Sequence, residues 1–203
     1  EELAPNILKM ISRFNDVSNW VASEIVKCTE LPQRTAVLKM VIEIAEHCYE
    51  LNNFNAVMEI ISGLHSSSVF RLKASWGGLP KKSVQAYEDM HATMSRDKSY
   101  KLFRALLRKV NPPCIPYLGM YLTDLTFIEE GNPDNLPDGS INFTKRQRLS
   151  EVIAEIQTYQ NTPYFLEEVS FIRDYLFNAE SLPEEQCYKL SLKREGRRGT
   201  QVV

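Results

Sequence analysis

The chain has 203 residues, 43% of them apolar and 25% charged, with a formal net charge of −2. That length buries one substantial core or two small ones, and the composition excludes a disordered chain, a collagen-like repeat and a small disulfide scaffold. No apolar run reaches the roughly 20 residues that cross a bilayer, and the near-neutral charge argues against nucleic acid as the main partner.

The opening Glu1-Glu2-Leu3-Ala4-Pro5 lacks the basic and apolar regions of a secretory leader. Helical periodicity then runs nearly throughout. Over 36–51, apolar residues recur at 37, 41, 44, 45, 48 and 51, the spacing of one broad buried face, with a further set at 38, 40 and 42. A helix apolar on so much of its circumference belongs at the centre of a bundle, and Pro32 suits its first turn. Asn52-Asn53 reads as a stop and a restart. Phe54, Val57, Met58, Ile61 and Leu64 repeat the helical spacing. Val84, Tyr87, Met90 and Met94 predict another helix after Gly77-Gly78-Leu79-Pro80. Tyr100, Phe103, Leu106, Leu107 and Val110 predict one more. It stops at Pro112-Pro113, because proline excludes the helical conformation from the residue before it. Period-two alternation is absent, so strands are scarce, and no internal repeat is found.

The stretch 129–142 holds two glycines, two prolines and no helical period, and reads as a set of turns. The segment 117–128 precedes it. A helix over 144–159 follows, with Leu149, Val152, Ile153, Ile156 and Tyr159 at helical spacing. The expected architecture is all-α: a compact helical domain with a protruding helical hairpin at about 117–160. A long connection inside a compact domain is often functional. Residues 193–203 read as a basic, glycine-bearing solvated tail, a composition that also suits approach to an anionic membrane surface.

Signals for covalent chemistry are few. Cys28, Cys48, Cys114 and Cys187 form no C-x-x-C pair and, with His47, His65 and His91, no zinc pattern, so they read as free thiols in a reducing compartment. There is no H-E-x-x-H, G-x-S-x-G, Walker A or G-x-G-x-x-G motif. Nothing places Cys114 beside His65 as nucleophile and base; they read as a buried thiol and an unrelated histidine. No metal or cofactor is expected.

Four blocks carry a family resemblance: Pro5-Asn6-Ile7-Leu8-Lys9-Met10; Glu50-Leu51-Asn52-Asn53-Phe54-Asn55-Ala56-Val57-Met58 followed by Phe70-Arg71-Leu72; the run from Pro112-Pro113-Cys114-Ile115-Pro116-Tyr117 through Leu122-Thr123-Asp124-Leu125-Thr126-Phe127-Ile128-Glu129-Glu130-Gly131-Asn132-Pro133; and Ile141-Asn142-Phe143-Thr144-Lys145-Arg146. In order and spacing, over almost the whole chain, they resemble the catalytic domain of Ras guanine-nucleotide exchange factors. The likeness is to the Ras-acting branch rather than the Ral branch.

The resemblance implies that residues 1–192 form this domain without the helical segment with which the family's domain normally begins. It implies exchange without covalent chemistry: release of GDP from a Ras-family GTPase (Ras first, Rap or R-Ras next) by a hairpin wedged beside the nucleotide, which stabilises the nucleotide-free state. The place of action would be the cytoplasmic face of a membrane carrying lipidated GTPases. Leu122, Thr126 and Glu130 would do this work, with the Glu130 carboxylate intruding on the phosphate and Mg²⁺ region. Ile11, Met58, Ser62, His65, Tyr100 and Tyr117 match a largely apolar pocket for a tyrosine of the second switch. Lys145, Arg146, Leu149, Val152 and Ile156, with Ile153, would prop the first arm at its angle. Arg71 would hold helix ends. Read from the residues alone, Glu130 is a solvated carboxylate and the pocket residues are core packing. The alternative function is a non-catalytic GTPase-binding or helical interaction module.

Overall fold

Two asparagines turn the chain into its core. Asn52 takes a left-handed conformation with φ 58°, which asparagine tolerates better than most residues, and the Asn53 side chain accepts a hydrogen bond from Ala56 N at 3.1 Å. That cap starts helix α3 (Phe54–Leu64), between α2 (Leu31–Glu50) and the returning chain. The computed structural model describes residues 4–196, and eleven helices and no strand occur among the described residues.

Helix α3 is the centre of the core. Phe54, Val57, Met58, Ile60, Ile61 and Leu64 are all buried, and each such burial stabilises by about 1.5–3 kcal/mol. Helix α1 (Pro5–Lys27) crosses it closely at Gly63, where a Cβ would stand 2.6 Å from Ser18 O. Only the second half of α1 is buried, through Val21, Ala22, Ile25 and Val26; Ile7, Leu8, Met10 and Ile11 remain exposed. Helix α2 buries Arg34, Leu38, Val41, Ile42 and Ala45. Of the expected stripe, Val41 and Ala45 are buried and Val37 and Cys48 pack against the core, while Ile44 and Leu51 are exposed, as is Met40 of the second set. Helix α2 packs against α1, α3 and two later helices, and Met40 and Ile44 mark the side left uncovered.

Short helices α4 (Ser67–Phe70) and α5 (Lys73–Gly77) lead to α6 (Lys81–Thr93) and α7 (Asp97–Leu107). Tyr87, Met90, Met94, Phe103 and Leu107 close the core from that side, with Phe103 edge-on to Phe54 at 5.4 Å. Helices α8 (Leu118–Gly131) and α9 (Phe143–Tyr159) form the hairpin. Helix α8 extends past the expected boundary, so Glu130 lies in its last turn and the connection is 132–142. The hairpin is rooted on the asparagine turn, where Ile115 N donates to Asn52 O at 3.0 Å and Asn55 N donates to Ile115 O at 3.2 Å.

The sequence reading gives no element to 160–192. The structure has α10 (Ser170–Asn178), with no buried residue, and α11 (Glu184–Arg194), with Cys187 and Ser191 buried. The start of the tail expected to be solvated from 193 is docked on the body of the domain. Arg194 Nε donates to Val26 O at 3.0 Å, and Glu195 accepts from Ala74 N at 2.8 Å and from Ser75 Oγ at 2.7 Å. Arg34, buried beside them, donates to the same Ser75 Oγ at 2.8 Å. Residues 197–203 of the expected tail lie outside the described residues. Arg71 Nη1 donates to Ser191 O at 2.7 Å, so it does hold a helix end.

One acid lies inside. Glu59 on α3 is 7% exposed and accepts a hydrogen bond from Asn55 Nδ2 at 2.8 Å. Burial pushes its carboxyl up to about 7, against the opposing pull of Arg13 and of the Asn55 hydrogen bond. The folded protein therefore keeps this proton up to about pH 7, while the unfolded chain releases it near its ordinary value of 4.5. The stability contributed is full below 4.5 and is lost as pH rises through about 7. Between pH 4.5 and 8, Glu59→Gln should gain about 3 kcal/mol on the wild type in denaturant melts. A pH-independent difference between the two proteins contradicts this.

Candidate functional site

Phe14 and Tyr117, with ring centroids 5.8 Å apart, form the wall between two neighbouring cavities. Tyr117 reaches this position because Gly119 has no side chain; a Cβ there would stand 2.3 Å from the phenol oxygen. The larger cavity, about 390 Å³, is lined by Met58, Ile61, Ser62, His65, His91, Met94, Ser95 and Arg96 in addition to the wall. Its floor is apolar and its rim carries hydroxyls, imidazoles and one guanidinium.

Four of the residues expected to bind a partner, Met58, Ser62, His65 and Tyr117, meet in this cavity. Tyr100 lies behind them, 6% exposed, with its ring 6.0 Å from that of Tyr117. Ile11 is not in the group. It lines the smaller cavity, about 230 Å³, together with Met10, Asn15, Asn55, Leu118, Gly119 and Leu122. Sequence reasoning missed Phe14, His91, Met94 and Arg96. Phe14 stands one turn after Ile11 on α1, a signal that was available; Arg96 has none.

The imidazoles of His65 and His91 stack with centroids 5.1 Å apart, between Phe70 on one side and Tyr87 on the other. Burial, then the neighbouring His65, push the His91 imidazole below its ordinary value of 6.5, which leaves it neutral at pH 7. The Tyr100 and Tyr117 hydroxyls hold Arg96 still more firmly in its charged form.

The second component is the arm α8. Leu122, Thr126 and Glu130 lie four residues apart, so they share one face and span about 12 Å. Leu122 is half-buried in the smaller cavity. Thr126 is exposed and its hydroxyl donates back to Leu122 O at 2.9 Å. Glu130 is exposed and makes no hydrogen bond or ion pair among the described residues. Its neighbour Glu129 differs. Lys145 Nζ donates to Glu129 O at 3.1 Å, to Glu129 Oε1 at 2.9 Å and to Asp134 Oδ1 at 2.9 Å. The Lys145 side chain is only 2% exposed. Hydrogen bonds to Asp134 and Glu129 hold the Lys145 ammonium above its ordinary value, and Lys145 in turn holds the Asp134 carboxyl below its own.

The connection is folded on itself. The Asn142 side chain accepts from Lys145 N at 3.2 Å, which caps α9, and its Nδ2 donates to Pro133 O at 2.9 Å. Arg146 adds an exposed bond to Asp134 at 2.8 Å. Nearer the root, the buried Tyr121 hydroxyl donates to Glu155 Oε1 at 2.8 Å and ties the two arms together. Val152 and Ile156 pack against the core, and Leu149 is half-buried. Ile153 points away and is exposed, so it takes no part in setting the angle.

All four cysteines are free thiols. Burial pushes the Cys114 thiol up to about 11, so it stays protonated, and no hydrogen bond joins it to His65. Among the described residues no group of three or more His, Cys, Asp or Glu side chains converges as a metal site, and no helix is long and apolar enough to cross a membrane.

The family model of the RasGEF domain matches residues 1–147. Ras guanine nucleotide exchange factor I of Dictyostelium discoideum is 45% identical over 195 residues, 96% of this chain and 24% of the relative. Ras guanine nucleotide exchange factor Y of the same organism is 45% identical over 188 residues, 93% of this chain and 12% of the relative. Ras-specific guanine nucleotide-releasing factor 1 of Homo sapiens is 38% identical over 195 residues, 96% of this chain and 15% of the relative. The chain thus spans a quarter or less of the length of these curated relatives.

Asn142→Ala removes the α9 cap and the bond to Pro133, at a cost of about 1 kcal/mol. Amide exchange over 132–142 should then quicken about fivefold, with α3 unaffected. Lys145→Met should loosen the same amides. Unchanged exchange in both variants contradicts the hairpin lock.

Proposed function

This chain belongs to the RasGEF family, and we propose that it speeds the loss of bound nucleotide from a Ras-family GTPase. The observation that carries the proposal is the contrast between two adjacent glutamates. Lys145 binds Glu129 and braces the arm, while Glu130 stands at the end of that arm with no partner among the described residues. A carboxylate presented on a braced arm competes with nucleotide phosphate for the lysine and helix-terminal N–H groups that hold it.

Exchange of this kind makes and breaks no covalent bond. It requires only that the protein bind the empty GTPase more tightly than the loaded one, since equal affinity for both would shift nothing. The larger cavity supplies the anchor. An aromatic side chain of the partner fits a cavity of about 390 Å³ floored by Met58, Ile61 and Met94, and Ser62, His65 and Arg96 at its rim can hydrogen-bond a phenol. Leu122 widens the apolar contact along the arm. Thr126 has turned its hydroxyl back on the helix, so it offers the partner a methyl group and little bulk. The work therefore falls on Glu130 and on the position of the arm.

Ras is the first partner to test, ahead of Rap and R-Ras. The site of action in this reading is the inner surface of a membrane, where lipidated GTPases are held. In a fluorescent-GDP release assay, the protein should accelerate loss from Ras. Glu130→Ala should slow that accelerated rate about tenfold, in the range expected for losing one charge-assisted contact. Binding to nucleotide-stripped Ras without any rise in release would instead identify a non-catalytic binding module. An unchanged rate in Glu130→Ala would remove the role given to the carboxylate.

A further inference from the structure

The hairpin stands on a narrow root. Met120 and Tyr121 are each 1% exposed and sit in the core, where they act as an apolar pivot for α8. An apolar pivot resists withdrawal but does little to fix tilt. On one side of α8, the cavity of about 230 Å³ between Leu122 and α1 leaves room for the arm to lean. On the other side, Asp124 meets α7. Positions 122 and 124 differ by about 200° around a helix, so the cavity and Asp124 lie on opposite faces.

Arg104 on α7 donates from Nη2 to both Asp124 oxygens, Oδ1 and Oδ2, at 2.8 Å each. The pair is half-buried, with side chains 30% and 26% exposed. Among the described residues it is the only ion pair between the hairpin and the body of the domain. The same guanidinium also donates from Nε to Ser99 O at 2.8 Å. Ser99 lies in an unusual turn: Lys98, Ser99 and Tyr100 have φ of 49°, 56° and 61°, all left-handed and none glycine. That turn delivers Tyr100 to the back of Tyr117 in the anchoring cavity. One arginine thus joins the turn behind the anchor to the arm that carries Glu130.

We infer that Arg104 and Asp124 are positioning residues: their ion pair holds the hairpin back from the cavity beside α1 and sets its angle to the anchoring pocket. The consequence for rate rests on the exchange reading above; the consequence for geometry does not. The arm from Tyr121 to the end of α8 is a lever of about 15 Å, so a small change of tilt at the root moves Glu130 by several ångströms. Released from the clamp, α8 leans into the cavity and the hairpin tip approaches α1.

Two measurements test this on the whole chain, with Cys48 replaced by serine for labelling. Spin labels at Thr144 near the tip and Lys9 on α1, all three positions being solvent-facing or half-buried, report the tilt. Arg104→Ala and the milder Asp124→Asn should each shorten and broaden the distance between the labels. In GDP release from Ras, both should lower kcat about tenfold with KM within about twofold. The exchanged pair, Arg104→Asp with Asp124→Arg, should restore distance and rate together, which a general loss of stability would not do. An unchanged label distance in both single variants overturns the inference, as does a changed distance with an unchanged rate. If the wild type fails to accelerate release at all, the exchange reading falls and the distances alone decide the clamp: a shift supports it and no shift overturns it.

Discussion

The buried ammonium of Lys145 is the constraint on which the hairpin depends. A lysine nitrogen has three N–H bonds, and out of water each needs an acceptor. Glu129 O, Glu129 Oε1 and Asp134 Oδ1 supply three. One of these is the backbone of the last turn of α8, one is a side chain of that turn, and one belongs to the connection. The cation therefore cannot be satisfied unless arm, connection and α9 hold one arrangement. Removing a single partner leaves a desolvated charge short of bonds, which is why such a group specifies a geometry. Glu130 inherits its direction from this lock without taking part in it.

The anchor and the arm are parts of one body. Tyr117 is the last residue before α8 and also the wall of the larger cavity, shared with Phe14 of α1. In the proposed reading, a partner side chain seated in that cavity would press on the residue from which the arm departs. Docking energy and the position of Glu130 would thereby be linked through the packed side chains of Phe14 and Tyr117. This is what a device that favours one state of its partner needs: contacts whose strength differs between the two states.

Much of this was legible in the residues, and the losses have physical causes. The stop and restart at Asn52-Asn53 is an asparagine φ of 58° followed by a side-chain cap. The apolar spacing of 54–64 and 84–94 became buried faces because those helices meet neighbours on the sides the spacing marks. In α2 the same logic marks Val41 and Ala45, which are buried, and also Ile44 and Leu51, which are exposed, since periodicity shows which residues are apolar and not which side is covered. The segment 160–192 was assigned no element; in it Phe165, Phe171 and Phe177 are exposed, while Cys187 is buried and Leu182 and Leu190 pack against the core. The family resemblance names Lys145 as a support of the first arm, but its burial between Glu129 and Asp134 shows only once the turn brings them together. The burial of Glu59, the Arg104–Asp124 pair and the docking of Glu195 onto α5 are tertiary in the same sense. Family resemblance pointed to Met58, Ser62, His65 and Tyr117, and they do converge; Ile11 was assigned to that pocket and lies across the wall from it.

The proposed exchange requires preference for an empty partner over a filled one. Calorimetric titration of this protein into Ras stripped of nucleotide, and into Ras saturated with GDP and Mg²⁺, measures that preference directly. Tight binding to the stripped form and binding at least a hundredfold weaker to the loaded form is the expected result. Equal affinity for the two forms would contradict it, however well the hairpin is braced.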